Sequence, residues 1–549
     1  MSAMGVDGRL DHIVEFARQL AAEHQVAELI ERIVIAARES AAADGGTIYL
    51  VDPDDRAAQF ALAINQSLGI HVGGTSGHAP EFPPVTLVRT DGTPDDGSAI
   101  ARCVHFHETQ NVGDVYAADP SQFKAARDFD ARHRYRTSSV LTVPMQDHKG
   151  RVLGVLQVVN AGAAAGTVRA FSAAEQAFIE ALAAQAALAI EKKQLIERLE
   201  TLFERLCTLI NDAIDEKSPY TGGHCRRVPE LTMMLAEAAH RTQSGPLSSF
   251  RMTERDRREL KLAGLLHDCG KITTPVHVVD KATKLATIFD RIALVDLRLT
   301  VIERDARAAM FERIAGGTPR AAAQADFAAE KAALDDDRRF LAQANIGSER
   351  MSDDDVARVE RIARRRFRDH DGIERPVLNA DETENLCIRY GTLTTAERQV
   401  INRHIDATIR MLEALPWPPD LVHVPEYAGG HHERMDGRGY PRGLTREQMS
   451  WQARMMGVAD VFEALTAGDR PYKPAKPLSE SMSILARMSA GGHIDPDLFA
   501  VFVRERVYLD YARRFLDPAL IDAVDPDALL AAAAARGAPA PTAAAQRAR

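Results

Sequence analysis

Leu188, Leu195, Leu202 and Leu209 fall seven residues apart, and Leu199 and Leu206 fill the alternate seam. Charged residues such as Glu197, Arg198, Glu200, Glu204 and Arg205 stand between them. An apolar repeat of this period, kept for about three heptads, demands a long helix with one apolar face. The pattern predicts a helix from Ser172 to about Asp215. A rod of that length cannot fold back into one compact core, so it divides the chain into two parts. Two or three domains are expected in any case from 549 residues. The preferred reading of the apolar face is a parallel pairing with a second copy. The other is an amphipathic helix packed within the chain. Either way, a rigid helix would carry a change on one side to the other.

The part before the helix mixes two periods. Residues 9–43 read as helical, with Leu29, Ile30, Ile33 and Val34 on the apolar face. "GTIYLVD" (46–52) and "AAQFALAI" (57–64) read as strands, while 71–98 is rich in Gly, Pro and Asp and reads as loop. "SSVLTVPM" (138–145) and "RVLGVLQVVN" (151–160) flank the turn "QDHKG" and predict a hairpin of β-branched residues. The stretch "RTSSVLTVPMQDHKGRVLGVLQVVNA" resembles GAF domains, small α/β sensory modules, over residues 9–190. Some GAF domains bind cyclic nucleotides through an Asn-Lys and a Phe-x-x-x-Asp-Glu signature. The matching positions are Asn160, Ala161, Phe171, Glu175 and Gln176. The Lys is absent and both acids are changed, which argues against that ligand. A sensor for an unknown ligand and a ligand-free dimerisation or spacer fold remain the alternatives.

The part after the helix, 206–515, reads as helical without alternating strands. Within it, 287–392 is dense in Arg, Asp, Glu and Ala, as in "DDDVARVERIARRRF", and reads as solvated helices. The Ala/Pro-rich tail 526–549 is expected to be disordered. The net charge of -10 disfavours a nucleic-acid polymer as partner. The 5 cysteines are scattered, with no CxxC pair, which argues against disulfides and a cysteine zinc site. "MSAMGVDGRLDHIVEF" lacks a signal-peptide core and no run approaches about 20 apolar residues, so a cytoplasmic protein with no membrane partner is expected.

Several polar residues sit where apolar ones belong. Asp460 lies among Met456, Val458, Ala459, Val461 and Phe462, and a buried carboxylate is costly unless paired or metal-bound. Arg454 lies elsewhere on that helix. His267 and Asp268 end the apolar run "LKLAGLL", where a helix C-terminus favours a cation and Gly270 suits a helix stop. His404 joins the stripe of Ile401, Ile405, Ile409 and Leu412 in a helix that a Thr394–Glu397 capping box starts. His431 and His432 open "HHERMDGRGYP", and His224 stands near another helix start in "KSPYTGGHCRRVPEL". Each has an ordinary reading: a satisfied core histidine, a bonded helix end, a polar loop. Together, five imidazoles and two carboxylates suit iron, manganese or a similar divalent metal. A pair of such ions could share one carboxylate and clamp a phosphate.

The ordered set "HDCGK", the later inward histidine, "HHERMDGRGYP" and "ADVFEALTAGDRPYK" resembles HD-GYP phosphodiesterases, over about 206–285 and 392–515. That bacterial branch of the HD superfamily hydrolyses cyclic di-GMP. The resemblance implies a multidomain chain: an α/β GAF-like sensory domain, a coiled-coil linker helix and an all-α HD domain. It implies that His224, His267, Asp268 and Asp460 hold one metal. Asp268 would bridge to a second held by His404, His431 and His432, making two divalent ions, iron or manganese. Asp268 and Lys271 would be catalytic, with Lys271 on the scissile phosphate. Gly439, Tyr440 and Pro441 would form the substrate wall, and Arg470 and Lys473 would bind the other phosphate or a base. Glu433 is expected to accept a hydrogen bond from a ligand histidine. Glu463 stands where Asp is usual and is expected near Lys271.

Other departures are marked. Tyr220 occupies the position of a Glu that gives some members a third metal, and one extra residue lies between Leu465 and Arg470. The segment 287–392 separates His267 from His404 and is read as surface decoration. The implied activity is hydrolysis of cyclic di-GMP to pGpG, GMP or both, in a homodimer regulated through the GAF domain. The alternatives are another cyclic dinucleotide or phosphoester as substrate, and a catalytically silent cyclic di-GMP receptor.

Overall fold

The computed structural model describes residues 26–217, 223–347, 350–468 and 475–535. The chain divides into two compact units, Met1–Leu202 and Phe203–Arg549. The helical reading of 9–25, Tyr220, Arg470 and Lys473 lie outside the described residues.

The first unit is a mixed α/β fold around one antiparallel sheet. Its strands are β1 (Gly45–Val51), β2 (Ala57–Asn65), β3 (Ile70–Gly73), β4 (Val85–Thr86), β5 (Gln110–Val112), β6 (Val140–Gln146) and β7 (Val152–Val159). The spatial order is β3-β2-β1-β7-β6-β5, with β4 also pairing β2. The expected hairpin forms as β6–β7, with Val143 opposite Leu156 and Leu141 opposite Val158. The expected loop 71–98 contains β3 and β4, whose few residues are too short for a period to reveal. Helix α1 (Val26–Ser40) and the start of the long helix cover one face over Ile48, Leu62, Leu141, Met145 and Leu156. Helix α2 (Ala99–Phe106) covers the other over Tyr49, Ala58, Val152 and Val155, and α3 (Lys124–His133) follows it in the chain. A sheet covered on both faces buries successive residues, which is why β7 is apolar almost throughout.

Buried polar groups in this unit are bonded to one another. Asp44 accepts from the Ser67 backbone and hydroxyl and from Tyr135 at 3.0, 2.7 and 2.5 Å. Asn160 accepts from Ser138 N at 2.7 Å and donates to Tyr135 and to Arg136 O, both at 2.9 Å. Asp130 accepts from Thr137 N, Thr137 Oγ1 and Tyr116. Asn160 therefore ties the sheet together in this fold.

The long helix, α4 (Ala173–Lys217), forms as one piece. Ile179, Leu182, Ala183, Ala186, Ala187 and Ile190 lie in the first core. From there on the seam is bare: Leu188, Leu195, Leu202 and Leu209 are 61%, 56%, 56% and 63% exposed, so no part of the described chain covers the heptads. An 18-residue window of α4 is long and apolar enough, by length and composition only, to cross a membrane; its many alanines raise hydropathy although Glu175 and Glu180 interrupt any apolar run.

The second unit is almost entirely helical. It contains α5 (His224–Arg241), α6 (Glu254–Leu266), α7 (Ile292–Ala315), α8 (Arg320–Ile346), α9 (Asp353–Ala363), α10 (Ala380–Leu386), α11 (Thr395–Asn402), α12 (His404–Glu413), α13 (Val424–Gly429), α14 (Trp451–Thr466), α15 (Leu478–Ala490), α16 (Pro496–Arg504), α17 (Val507–Phe515) and α18 (Pro526–Ala534). Its main core joins Leu235, Leu262, Met455, Met456, Phe462, Leu485, Phe499 and Phe502. The segment 287–392 has its own core of Val295, Leu299, Leu334, Leu341, Val359, Ile362 and Leu386. It also contains a hairpin the sequence reading lacked, β8 (Arg366–Arg368) with β9 (Glu374–Pro376). Strands of three residues, mostly exposed, leave no apolar alternation to find.

Two further expectations are corrected. The tail does not start as disorder at 526: Asp525 caps α18, Pro526 begins it, and Leu529 and Leu530 pack into the main core. The helix through His404 is two helices, broken at Arg403.

Candidate metal centre

The centre is assembled from helix ends. His267 and Asp268 follow α6, His224 opens α5, His404 opens α12, His431 and His432 follow α13, and Asp460 projects from the middle of α14. The turn Cys269–Thr273 is a 3₁₀ helix pressed against α12, where Gly270 N donates to Thr408 Oγ1 at 2.9 Å. A Cβ on Gly270 would lie 2.0 Å from His404 O and 2.6 Å from Thr408 N. Gly270 is thus required by close approach of two backbones, a different reason from the helix stop suggested by sequence.

All seven predicted ligands converge. His224 Nε2 lies 3.2 Å from Asp268 Oδ2, 3.3 Å from Asp460 Oδ1 and 3.4 Å from His267 Nε2. His404 Nε2 lies 3.2 Å from Asp268 Oδ1, and His432 Nδ1 lies 4.0 Å from Asp460 Oδ2. Ligand atoms of His224, His267 and Asp268 fall within 4.8 Å of one another, as do those of His404, His431 and His432. Asp268 touches both groups, one oxygen toward each.

The outer ring nitrogens fix the tautomers. Nδ1 of His267, His404 and His431 face the carbonyls of Gly264, Ile401 and Ala428 at 2.7, 2.5 and 2.7 Å. A carbonyl can only accept, so each Nδ1 bears the proton and each Nε2 presents a lone pair to the centre. Yet His404 Nε2, His431 Nε2 and Asp268 Oδ1 are buried with no hydrogen-bond partner. His404 Nε2 and Asp268 Oδ1 stand close without bonding geometry, as atoms do when both face a third. An unsatisfied buried polar group costs about 1–3 kcal/mol, so three in one place fit a cation-binding site.

The electrostatics agree. Burial opposes the Asp268 charge, but Lys271 and His267 outweigh it and hold the carboxyl well below its ordinary range. Asp460 is held low in the same way, chiefly by His224 against burial. Burial pushes His432 down to about 4 and His431 well below the ordinary imidazole range, which keeps both neutral as ligands. His224 goes the other way: burial opposes its charge, yet Glu463, Asp268 and Asp460 raise it well above the ordinary range.

Glu463 has a different partner from the one expected. It is fully buried, accepts from His224 Nδ1 at 2.5 Å, and is held by Arg227 Nε and Nη2 at 2.8 and 2.6 Å. Burial raises it, but His224 and Arg227 bring its carboxyl down to about 2. Arg227 was not singled out from sequence, and its spacing, three after His224, is the local signal that was available. Glu433 is likewise corrected: its carboxylate accepts from the backbones of Arg442 and Leu444 at 2.8 and 2.9 Å, closing the loop. His267, His404 and His431 donate to backbone carbonyls instead, and His224 to Glu463.

The loop after the histidine pair folds back over the centre. Tyr440 stacks on His432 with centroids 4.8 Å apart and planes at 24°, and Tyr440 N donates to His432 O. A Cβ on Gly439 would meet Glu433 Cα and Arg434 N at 2.4 Å, so only glycine fits there. Pro441 follows through a cis peptide bond. Lys271 Nζ reaches Asp268 Oδ2 at 2.5 Å, beside His224 and His267.

Comparisons with known proteins follow this division. A family model of the GAF domain matches residues 23–191 and one of the HD domain matches 381–498. The chain carries both domains. The HD match includes His404, His431, His432 and Asp460 and leaves His224, His267 and Asp268 before the 287–392 segment. A cyclic di-GMP phosphodiesterase of Pseudomonas aeruginosa is 41% identical over 114 residues, which is 21% of this chain and 26% of that protein. A 3'3'-cGAMP-specific phosphodiesterase of Vibrio cholerae is 46% identical over 121 residues, 22% of this chain and 27% of that one. A cyclic di-GMP phosphodiesterase of Thermotoga maritima is 33% identical over 135 residues, 24% and 36% of the two chains. The chain spans about a quarter of the length of the first two relatives.

Proposed function

We propose that the protein is a metal-dependent phosphodiesterase that hydrolyses cyclic di-GMP to pGpG, GMP or both. The observation that carries this reading is the set of orphaned lone pairs on His404, His431 and Asp268 within a ring of seven ligand residues. Two divalent ions, iron or manganese, would be held by His224, His267, Asp268 and Asp460 on one side and Asp268, His404, His431 and His432 on the other. Such ions supply a nucleophile at neutral pH and charge for a phosphate. The protein's residues do the rest. Asp268 spans both ligand groups. Lys271 would meet a phosphate oxygen and stabilise the charge that develops there. The Tyr440 face, stacked beside His432, offers a flat wall to a guanine, flanked by Gly439 and Pro441. Arg470 and Lys473 are proposed for the second phosphate or base.

Names of relatives divide between cyclic di-GMP and 3'3'-cGAMP, and the 46% identical one is specific for the latter. That is the one alternative substrate with an observation behind it. We place the activity in the cytoplasm, in a parallel homodimer joined through the bare heptad seam of α4 and the GAF domain, whose ligand is unknown.

The test uses anaerobically purified, metal-loaded full chain and a panel of cyclic di-GMP, 3'3'-cGAMP and cyclic di-AMP, with products identified by mass. Preferred turnover of cyclic di-GMP to pGpG or GMP, abolished in Asp268→Asn, is expected. An intact panel, or equal traces from wild type and variant, would sink the reading.

A further inference from the structure

The turn that presents Lys271 is clamped from outside by one residue. Cys269–Thr273 is a short 3₁₀ helix in which Thr274 N meets Lys271 O, while among the described residues no backbone donor along the chain meets Ile272 O or Thr274 O. Lys217 Nζ donates to Ile272 O at 2.5 Å and Thr274 O at 2.7 Å, and reaches Lys271 O at 3.4 Å. A cation on carbonyls at a helix C-terminal end is favourable in both hydrogen bonding and charge. Among the described residues its ammonium pairs with no carboxylate.

Packing holds this end of the turn only in part, through the buried Thr274. Ile272 and Thr273 are exposed, while the inner side is fixed to α12 through Gly270 and Thr408. The amide of Lys271 bonds Asp268 O at 2.9 Å, and its side chain returns to Asp268 Oδ2 at 2.5 Å. The backbone that Lys217 grips is therefore the backbone that aims Lys271. Lys217 is also the last residue of α4, the helix whose first turns lie in the GAF core.

We infer that Lys217 is a positioning residue for Lys271, coupling the end of α4 to the reaction centre; the inference rests on the phosphodiesterase reading. Among the described residues, the bonds of the Lys217 ammonium go to backbone carbonyls outside the ligand set. Its loss leaves the seven ligands in place and lets the turn drift, which misaims Lys271 in the step that needs it. Its contribution thus falls on turnover, with little effect on metal content or substrate affinity.

The experiment compares full-chain wild type with Lys217→Met and Lys217→Arg. It measures kcat and KM on cyclic di-GMP, metal per chain, melting temperature, and amide exchange of the 267–276 segment. Lys217→Met is expected to lower kcat about tenfold to a hundredfold, with KM within about twofold, as expected for small misplacement at a reacting group. Metal content and melting temperature stay near wild type, exchange in the segment rises, and Lys217→Arg recovers most of kcat. Unchanged kcat in Lys217→Met overturns the inference. So does a loss of kcat that tracks loss of metal or of thermal stability and is not recovered by Arg. A wild type that turns over no cyclic dinucleotide sinks the proposed function instead. Amide exchange then decides the clamp: faster exchange in Lys217→Met upholds it and unchanged exchange overturns it.

Discussion

One buried polar cluster in the first unit and one in the second are satisfied in opposite ways. In the first, Asp44, Asp130 and Asn160 have their hydrogen-bonding atoms met by Ser67, Tyr116, Tyr135, Thr137 and nearby backbone. In the second, Asp268 Oδ1 and the Nε2 atoms of His404 and His431 are buried and unmet. The acids, Asn160 and the histidines of both clusters escape solvent. A cluster that closes on itself does structural work, and one that leaves lone pairs aimed at a shared space is built for something that arrives later. Changes in the two places should therefore fail differently.

The largest effect is expected from Asp268→Asn. It removes the oxygen charge shared by both ligand groups, so activity should fall about a thousandfold or more while the fold persists. A variant that unfolds before it loses activity would break the comparison, because the unmet cluster would then be holding the structure. Next, Asn160→Ala strips partners from Ser138, Tyr135 and Arg136 O and places Ala at a φ of 58°. The first unit should lose about 2–3 kcal/mol in denaturant unfolding with metal content unchanged. Glu463→Gln tests the support of a ligand: with the charge on His224 Nδ1 gone, metal affinity should drop about tenfold to a hundredfold in competition with a chelator.

The smallest effect concerns pH. Glu175 accepts from Arg169 and from Ser172, and Arg169 in particular brings its carboxyl down to about 2 against the opposing effect of burial. A carboxyl depressed in the folded state adds stability that is present above the ordinary Glu value of 4.5 and is lost as pH falls toward about 2. Arg169 is half exposed, so screening limits the contribution to under about 1 kcal/mol. Melting of the first unit should lose this increment on acidification in wild type and not in Glu175→Gln. Equal pH profiles would mean that the pair is only a surface contact.

Much of this was legible in the sequence because it is written at short range. Heptad leucines, the β6–β7 alternation, the Thr394–Glu397 capping box and an acid inside the apolar α14 are local patterns. The remainder depends on contacts across long separations. Glu463 meets His224 across 239 residues, and Lys217 meets Thr274 across 57, with no periodicity to announce either. The break at Arg403 lets His404 open a new helix, and helical spacing alone runs straight through it. The small β8–β9 hairpin is too short and exposed to leave a pattern. Helix α18 was hidden by its alanines, since Leu529, Leu530 and Ala533 anchor it with few large side chains.

The central claim is that the unmet cluster holds a pair of divalent ions. Metal analysis of anaerobically purified full chain, loaded with iron or manganese and desalted, tests it most directly. The account predicts two ions per chain in wild type and at most one in His404→Ala, with the fold intact in both. Fewer than one ion per chain in wild type after loading would contradict it.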